Sequence, residues 1–161
     1  MGKIIVGMAD LGVTSGDDNM LTTLGLGSCV GICLYDGATK IIGMAHCMLP
    51  DSKTIQNNLN IAKFIDTATI RLINDMSRIG ANKLALKAKI AGGAQMFSSV
   101  SVSDSMRIGE RNAEAAMNVL REFRIPVMAK DVGRDFGRTI EFYASDGRLV
   151  IKTIGHGTYT I

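Results

Sequence analysis

One stretch of the chain collects side chains that can attack a carbonyl, carry a proton, or hold the group that carries it. In "TTLGLGSCVGICLYDGATKIIGMAHCMLP", residues 22–50, Cys29 stands seventeen residues ahead of His46, and Thr22 and Thr23 lie just upstream of two glycines. A thiol attacks as its thiolate, and an adjacent imidazole can take its proton or, once protonated, stabilise the ion pair. A third group must orient the ring, and a hydroxyl or carbonyl of Thr22 or Thr23 can do so. Gly25 and Gly27 permit a tight turn that exposes the Cys29 thiol and aims successive backbone N–H groups inward, so Gly27 and Ser28 are candidate parts of an oxyanion hole. A dinucleotide-binding fingerprint is excluded, because Val30 occupies the place of the third glycine and a strand follows.

Two strands and a turn must bring Cys29 to His46. Asp36, Gly37, Ala38 and Thr39 are the turn-like group between the apolar segments 29–35 and 40–48. With Tyr35 opposite Lys40, Cys29 falls opposite His46, where facing Cβ atoms lie roughly 4.5–5.5 Å apart. Cys33 shares that face but lies roughly 13 Å from Cys29 along the strand, and Cys47 points to the other face. Zinc ligands sit about 2.0–2.3 Å from the metal, which a flat strand carrying Cys29 and Cys33 does not provide, so no metal is expected. Ordinary packing competes with the chemical reading. Free cysteines are commonly buried as small hydrophobes, and a lone histidine is often a hydrogen-bonded core residue.

The rest of the chain reads as one domain, residues 1–161. Apolar residues make up 47% and charged residues 20% of it, enough for a packed core without staples. The net charge of +3 comes from scattered lysines and arginines, which argues against a nucleic-acid partner. The apolar run at the N-terminus is too short for a signal peptide and reaches Asp10 quickly, and no long apolar span follows, so a cytoplasmic protein without membrane insertion is expected. Three cysteines in that setting do not make a disulfide framework.

Periodicity predicts a strand at 3–9, a polar loop "TSGDDNM", a helix over 61–79 stopped by Gly80, and a strand at 83–91 running into Gly92 and Gly93. A second helix over about 109–123 carries Ala113, Ala116, Met117, Leu120 and Phe123 on its buried stripe. Arg111 and Asn112 at its start are explained as well by capping or salt bridging as by substrate contact. A strand in "IPVMAKDVG" and a hairpin turning at Asp146 and Gly147 complete the chain. His156, in "IGHGTYTI", has no evident partner and reads as a surface histidine. Without strict βαβ alternation, this pattern predicts layers of mixed or antiparallel sheet with helices packed outside.

The combination of "TLGLGSCVGICLYD" (23–36), "GMAHCMLP" (43–50), "GGAQMF" (92–97), "IGERN" (108–112) and "DVGRDFGRTIEF" (131–142) resembles the CheD family of chemoreceptor glutamine deamidases. The resemblance implies an α/β three-layered sandwich of mixed and antiparallel sheets flanked by helices, similar to the catalytic domain of the cytotoxic necrotizing factor toxins. It implies a cysteine nucleophile, a histidine base and a supporting threonine, which fall on Cys29, His46 and Thr23. It implies methyl-accepting chemotaxis receptors as substrates, the CheC phosphatase as a partner, and no cofactor. Gln95, Met96 and Phe97, beside the double glycine, are candidates for the mouth of the site. One departure is visible: the family pattern often has a second glycine where Arg134 stands.

Two other classes of function remain open. The chain can be a non-catalytic adaptor that binds CheC and receptors, or an unrelated cysteine hydrolase or transglutaminase. A depressed Cys29 pKa is expected of the enzyme and an unactivated thiol of the adaptor.

Overall fold

The structure, a computed structural model, describes residues 2–53, 55–96 and 107–161. Among the described residues, ten strands fall into two five-stranded sheets. The first contains β1 (Gly2–Ile5), β3 (Asn19–Leu26), β8 (Arg138–Tyr143), β9 (Leu149–Thr153) and β10 (Thr158–Thr160), in the order β1-β3-β8-β9-β10. The second contains β2 (Asp10–Ser15), β4 (Val30–Asp36), β5 (Ile41–Cys47), β6 (Lys87–Gly92) and β7 (Val127–Val132), in the order β2-β5-β4-β6-β7. Pairing is antiparallel except for β1 with β3 and β6 with β7, so both sheets are mixed.

Helices α1 (Ile65–Arg78) and α2 (Ile108–Glu122) cover the outer face of the second sheet. The result is the expected α/β three-layered sandwich, with both helices on one side. Two cores follow from this layering. Val30, Ile32 and Leu34 of β4 and Ala45 and Cys47 of β5 pack under α1 and α2, whereas Cys33, Ile42 and Met44 pack between the sheets with Leu21, Ile140 and Phe142. Strand alternation alone makes that division.

Most predicted elements are present, with bounds shifted by local chemistry. α1 begins at Ile65, after a separate 3₁₀ turn at Ile61–Lys63 capped by the Asn60 side chain. It ends as expected at Gly80, whose φ of 113° allows the Gly80 and Ala81 N–H groups to bond back to Ser77 and Met76. The strand read at 83–91 is a 3₁₀ turn at Lys83–Ala85 followed by β6. The strand read at 3–9 stops at Ile5, and the start of the supposed polar loop belongs to β2, which pairs with β5. β10, a short and mostly exposed strand, was not legible in the apolar pattern.

The buried stripe of α2 is Gly109, Asn112, Ala116, Val119 and Leu120. It is rotated from the predicted stripe, and Phe123, expected in the core, is 44% exposed at the helix end. Gly133 and Arg134 have φ of 84° and 65°, so two successive residues occupy the left-handed region that glycine enters without steric cost.

Candidate active site

The β4–β5 hairpin sets the site, and its register differs from the expected one. Asp36 pairs with Ile41 and Gly31 with His46, so the loop is Gly37–Lys40 and every partner is shifted by two residues. The reason lies in the turn. Asp36 is the last strand residue, its carboxylate accepting from the N–H groups of Ala38 (3.1 Å) and Asn82 (2.9 Å), while Lys40 closes the loop with φ of 57°. Because the shift is even, no side chain changes face. Cys29 lies just before β4, two residues ahead of Gly31, and packs in the inter-sheet core.

Gly31, directly opposite His46, leaves that space open to the other sheet. A Cβ there meets Ile140 Cδ1 at 2.8 Å and Leu26 Cδ1 at 3.3 Å. The sheets thus close tightly beside the imidazole. Across the gap, Thr23 on β3 reaches His46 Nδ1 with its hydroxyl at 2.7 Å, and the same hydroxyl donates to the Val6 carbonyl at 2.6 Å. A hydroxyl has one proton. With that proton on Val6, Thr23 must accept from His46, which places the ring proton on Nδ1 and the lone pair of the neutral ring on Nε2. Nε2 is buried and has no partner among the described residues. Thr22, the other candidate, is turned away and donates to the Ile140 carbonyl at 2.8 Å.

Cys29 lies in a bend between β3 and β4, and only 8% of its surface is exposed, so the glycine turn leaves the thiol nearly buried rather than exposed. Burial pushes the Cys29 pKa above its usual 9.0, partly offset by a hydrogen bond from the residue's own N–H. Burial likewise lowers the His46 pKa from its usual 6.5. The expected depressed thiol pKa is therefore not found. Desolvation opposes the thiolate and the imidazolium together, and the resting pair is a neutral thiol and a neutral ring.

The backbone of the bend is held residue by residue. Ala94 N–H donates to the Gly27 carbonyl and Gly93 N–H to the Cys29 carbonyl, each at 2.9 Å. Asn112 Nδ2 donates to the carbonyls of Ser28 (3.0 Å) and Met48 (2.9 Å). Gly27 N–H closes on the Gly25 carbonyl at 3.1 Å, which removes it as an oxyanion donor, whereas no backbone carbonyl among the described residues takes the Ser28 or Cys29 N–H. Gly92 is required here, because a Cβ on it meets the Cys29 carbonyl oxygen at 2.2 Å.

Met96 Cγ lies 3.2 Å from the place of a Gly27 Cβ, and Met96 is exposed, so it borders the bend. Half-buried Gln95 ties its N–H to the Arg134 carbonyl at 2.8 Å. Phe97 lies outside the described residues. Cys33 and Cys47 are fully buried in the two cores, and burial raises both pKa values strongly. His156 is exposed and stacks on Phe136 with centroids 4.2 Å apart, well apart in role from the buried His46.

Sequence comparison assigns the family. The model of "CheD chemotactic sensory transduction" matches residues 48–153. The chain belongs to the CheD family. It is 56% identical over 152 residues to the "Probable chemoreceptor glutamine deamidase CheD" of Caldanaerobacter subterraneus subsp. tengcongensis, covering 94% of this chain and 93% of that one. It is 52% identical to the "Chemoreceptor glutamine deamidase CheD" of Halalkalibacterium halodurans, over 94% of each chain. A homologue in Lachnoclostridium phytofermentans, also named a probable CheD deamidase, is 53% identical over 96% of each. Among solved structures, the Bacillus licheniformis hypothetical protein YfiH superposes with a TM-score of 0.48 at 16% identity, over 76% of this chain and 49% of that one. No described helix is long and apolar enough to cross a membrane.

Proposed function

We propose that this CheD-family chain is a protein-glutamine deamidase acting on methyl-accepting chemotaxis receptors. One observation carries the reading on the structural side. Thr23 holds His46 in the tautomer that leaves Nε2 free, and this buried, unpartnered acceptor stands on the face that carries Cys29. An unmet buried acceptor costs about 1–3 kcal/mol, a cost that core packing alone does not justify.

In this mechanism the Cys29 sulfur attacks the carboxamide carbon of a receptor glutamine as its proton passes to His46 Nε2. Ser28 and Cys29 N–H groups receive the oxyanion. The imidazolium returns the proton to the nitrogen, ammonia leaves, and a thioester remains. His46 then takes a proton from water, whose oxygen attacks the thioester; the thiol recovers the proton and glutamate is released. No cofactor takes part. Burial opposes both charged forms, which favours proton transfer in step with the attack. Gln95, with Met96, borders the substrate.

The family resemblance adds the CheC phosphatase as a second partner and a cytoplasmic location. The adaptor alternative draws its support from the raised thiol pKa. Mass spectrometry of a glutamine-containing cytoplasmic receptor fragment, incubated with wild type, Cys29→Ala or His46→Ala, decides between them. A gain of acid at defined glutamines with wild type alone supports the deamidase. A folded wild type that binds receptor or CheC and converts nothing supports the adaptor.

A further inference from the structure

Asn112 was legible in the sequence as a polar residue near a helix start, but its place is different. It neither caps α2 nor joins an ion pair. It is fully buried, its Nδ2 donates to two main-chain carbonyls, and its Oδ1 has no partner among the described residues. The amide leaves its own acceptor unmet in order to satisfy two main-chain carbonyls that no apolar side chain could reach with a donor.

Its two bonds span the site. Ser28 precedes Cys29 in the bend, and Met48 follows β5 two residues after His46. Within a trans peptide, the C=O and the N–H point in opposite directions. Fixing the Ser28 carbonyl therefore fixes the direction of the Cys29 N–H, and the Ala94 bond to the Gly27 carbonyl does the same for the Ser28 N–H.

α2 supplies this clamp as a unit. Gly109 lies one turn before Asn112 on the same face, and a Cβ on it meets the Ala94 carbonyl oxygen at 2.2 Å and the Gly93 oxygen at 2.7 Å. The glycine thus lets the helix press on the segment whose N–H groups hold Gly27 and Cys29, while Asn112 holds Ser28 between them.

We infer that Asn112 is the positioning residue of the oxyanion donors, aligning the Cys29 N–H through the Ser28 carbonyl and tying the bend to the strand that carries His46. This rests on the deamidase reading. It separates two reactions of one thiol: acyl transfer builds an oxyanion, whereas alkylation by iodoacetamide at sulfur does not.

The test compares wild type, Asn112→Leu, which keeps much of the shape and loses both donors without adding charge, and Asn112→Ser, which keeps one donor in less volume. Folding is followed by thermal unfolding, so that either variant serves if the other fails to fold. Because removal of one oxyanion donor costs about 10²–10³ in kcat, kcat for receptor-fragment deamidation is expected to fall at least ~30-fold, with KM changed less than about threefold. Alkylation of Cys29 is expected to stay within about threefold of wild type. Deamidation retained in a folded variant, or deamidation and alkylation falling together, overturns the inference. A wild type whose Cys29 alkylates but which converts no receptor glutamine overturns the deamidase reading itself, and this assignment with it.

Discussion

The same two strands, β4 and β5, face two different interiors. Toward the helices they present Val30, Ile32, Leu34, Ala45 and Cys47 to an apolar layer closed by α1 and α2. Toward the other sheet they present Gly31, Cys33, Met44 and His46; that layer holds the Thr23–His46 pair, and Cys29 packs in it. The difference shows how one hairpin can carry stability on one face and chemistry on the other. The strands' helix-facing side chains are apolar, whereas the inter-sheet face holds a hydrogen-bonded ring with one nitrogen left open.

The two cysteines at the hairpin's open end put this contrast to its strongest test. Cys29→Ala is expected to reduce deamidation at least ~10³-fold while leaving the thermal midpoint nearly unchanged. Cys47→Ala is expected to keep kcat within about twofold and to cost about 1 kcal/mol through lost packing. Turnover and unfolding curves on both proteins check the pair, and comparable activity in the two sinks the division.

Thr23→Val removes the hydroxyl that orients His46 and leaves the Val6 carbonyl and the ring Nδ1–H without it. Its kcat is expected to fall about 10- to 100-fold and its stability by about 1–3 kcal/mol, read by turnover and urea unfolding.

The glycines sharpen the comparison further, because each face has one. A Cβ on Gly43 meets Leu72 Cδ1 and Met76 Sδ at 2.8 Å under α1, and one on Gly31 meets Ile140 Cδ1 at 2.8 Å opposite His46. Both alanine variants are expected to lose about 1–3 kcal/mol from overpacking. Only Gly31→Ala should also lower kcat of the folded protein, since it widens the gap that Thr23 and His46 bridge.

The smallest effects concern pH. His46 has a folded pKa below its usual 6.5, so the unfolded chain takes up the proton first as pH falls. Its contribution to stability is complete above that value and declines as pH drops from 6.5 toward the folded pKa. The acid limb of kcat/KM should accordingly lie below 6.5. With the Cys29 pKa above 9.0, no alkaline loss is expected near pH 8, where a preformed ion pair would begin to dissolve.

The sequence was most informative where a physical period was unbroken. Parity put Cys29 and His46 on one face and Cys47 on the other; the register of β4 on β5 moved by two residues rather than one, and Cys29 and Cys47 pack in different cores. The error in register came from treating Asp36 as a loop residue, when its carboxylate binds the distant Asn82 N–H as well as the local Ala38 N–H. Spacing left Thr22 and Thr23 equal, and only the strand's two faces separated them; the family resemblance pointed to Thr23. Asn112 was hidden for a related reason. A search for apolar stripes rotates away from a buried amide, and the same rotation put Phe123 in the core when it is exposed.

The central claim is that Thr23 fixes the His46 tautomer and leaves Nε2 as the base. Nitrogen NMR of ¹⁵N-histidine protein tests it directly, with His156→Gln removing the only other histidine. The account predicts, at neutral pH, a proton on Nδ1 of His46 and a bare Nε2, with protonation of the ring only below its usual 6.5. A proton resident on Nε2 of a neutral ring, or an imidazolium persisting above pH 7, contradicts it.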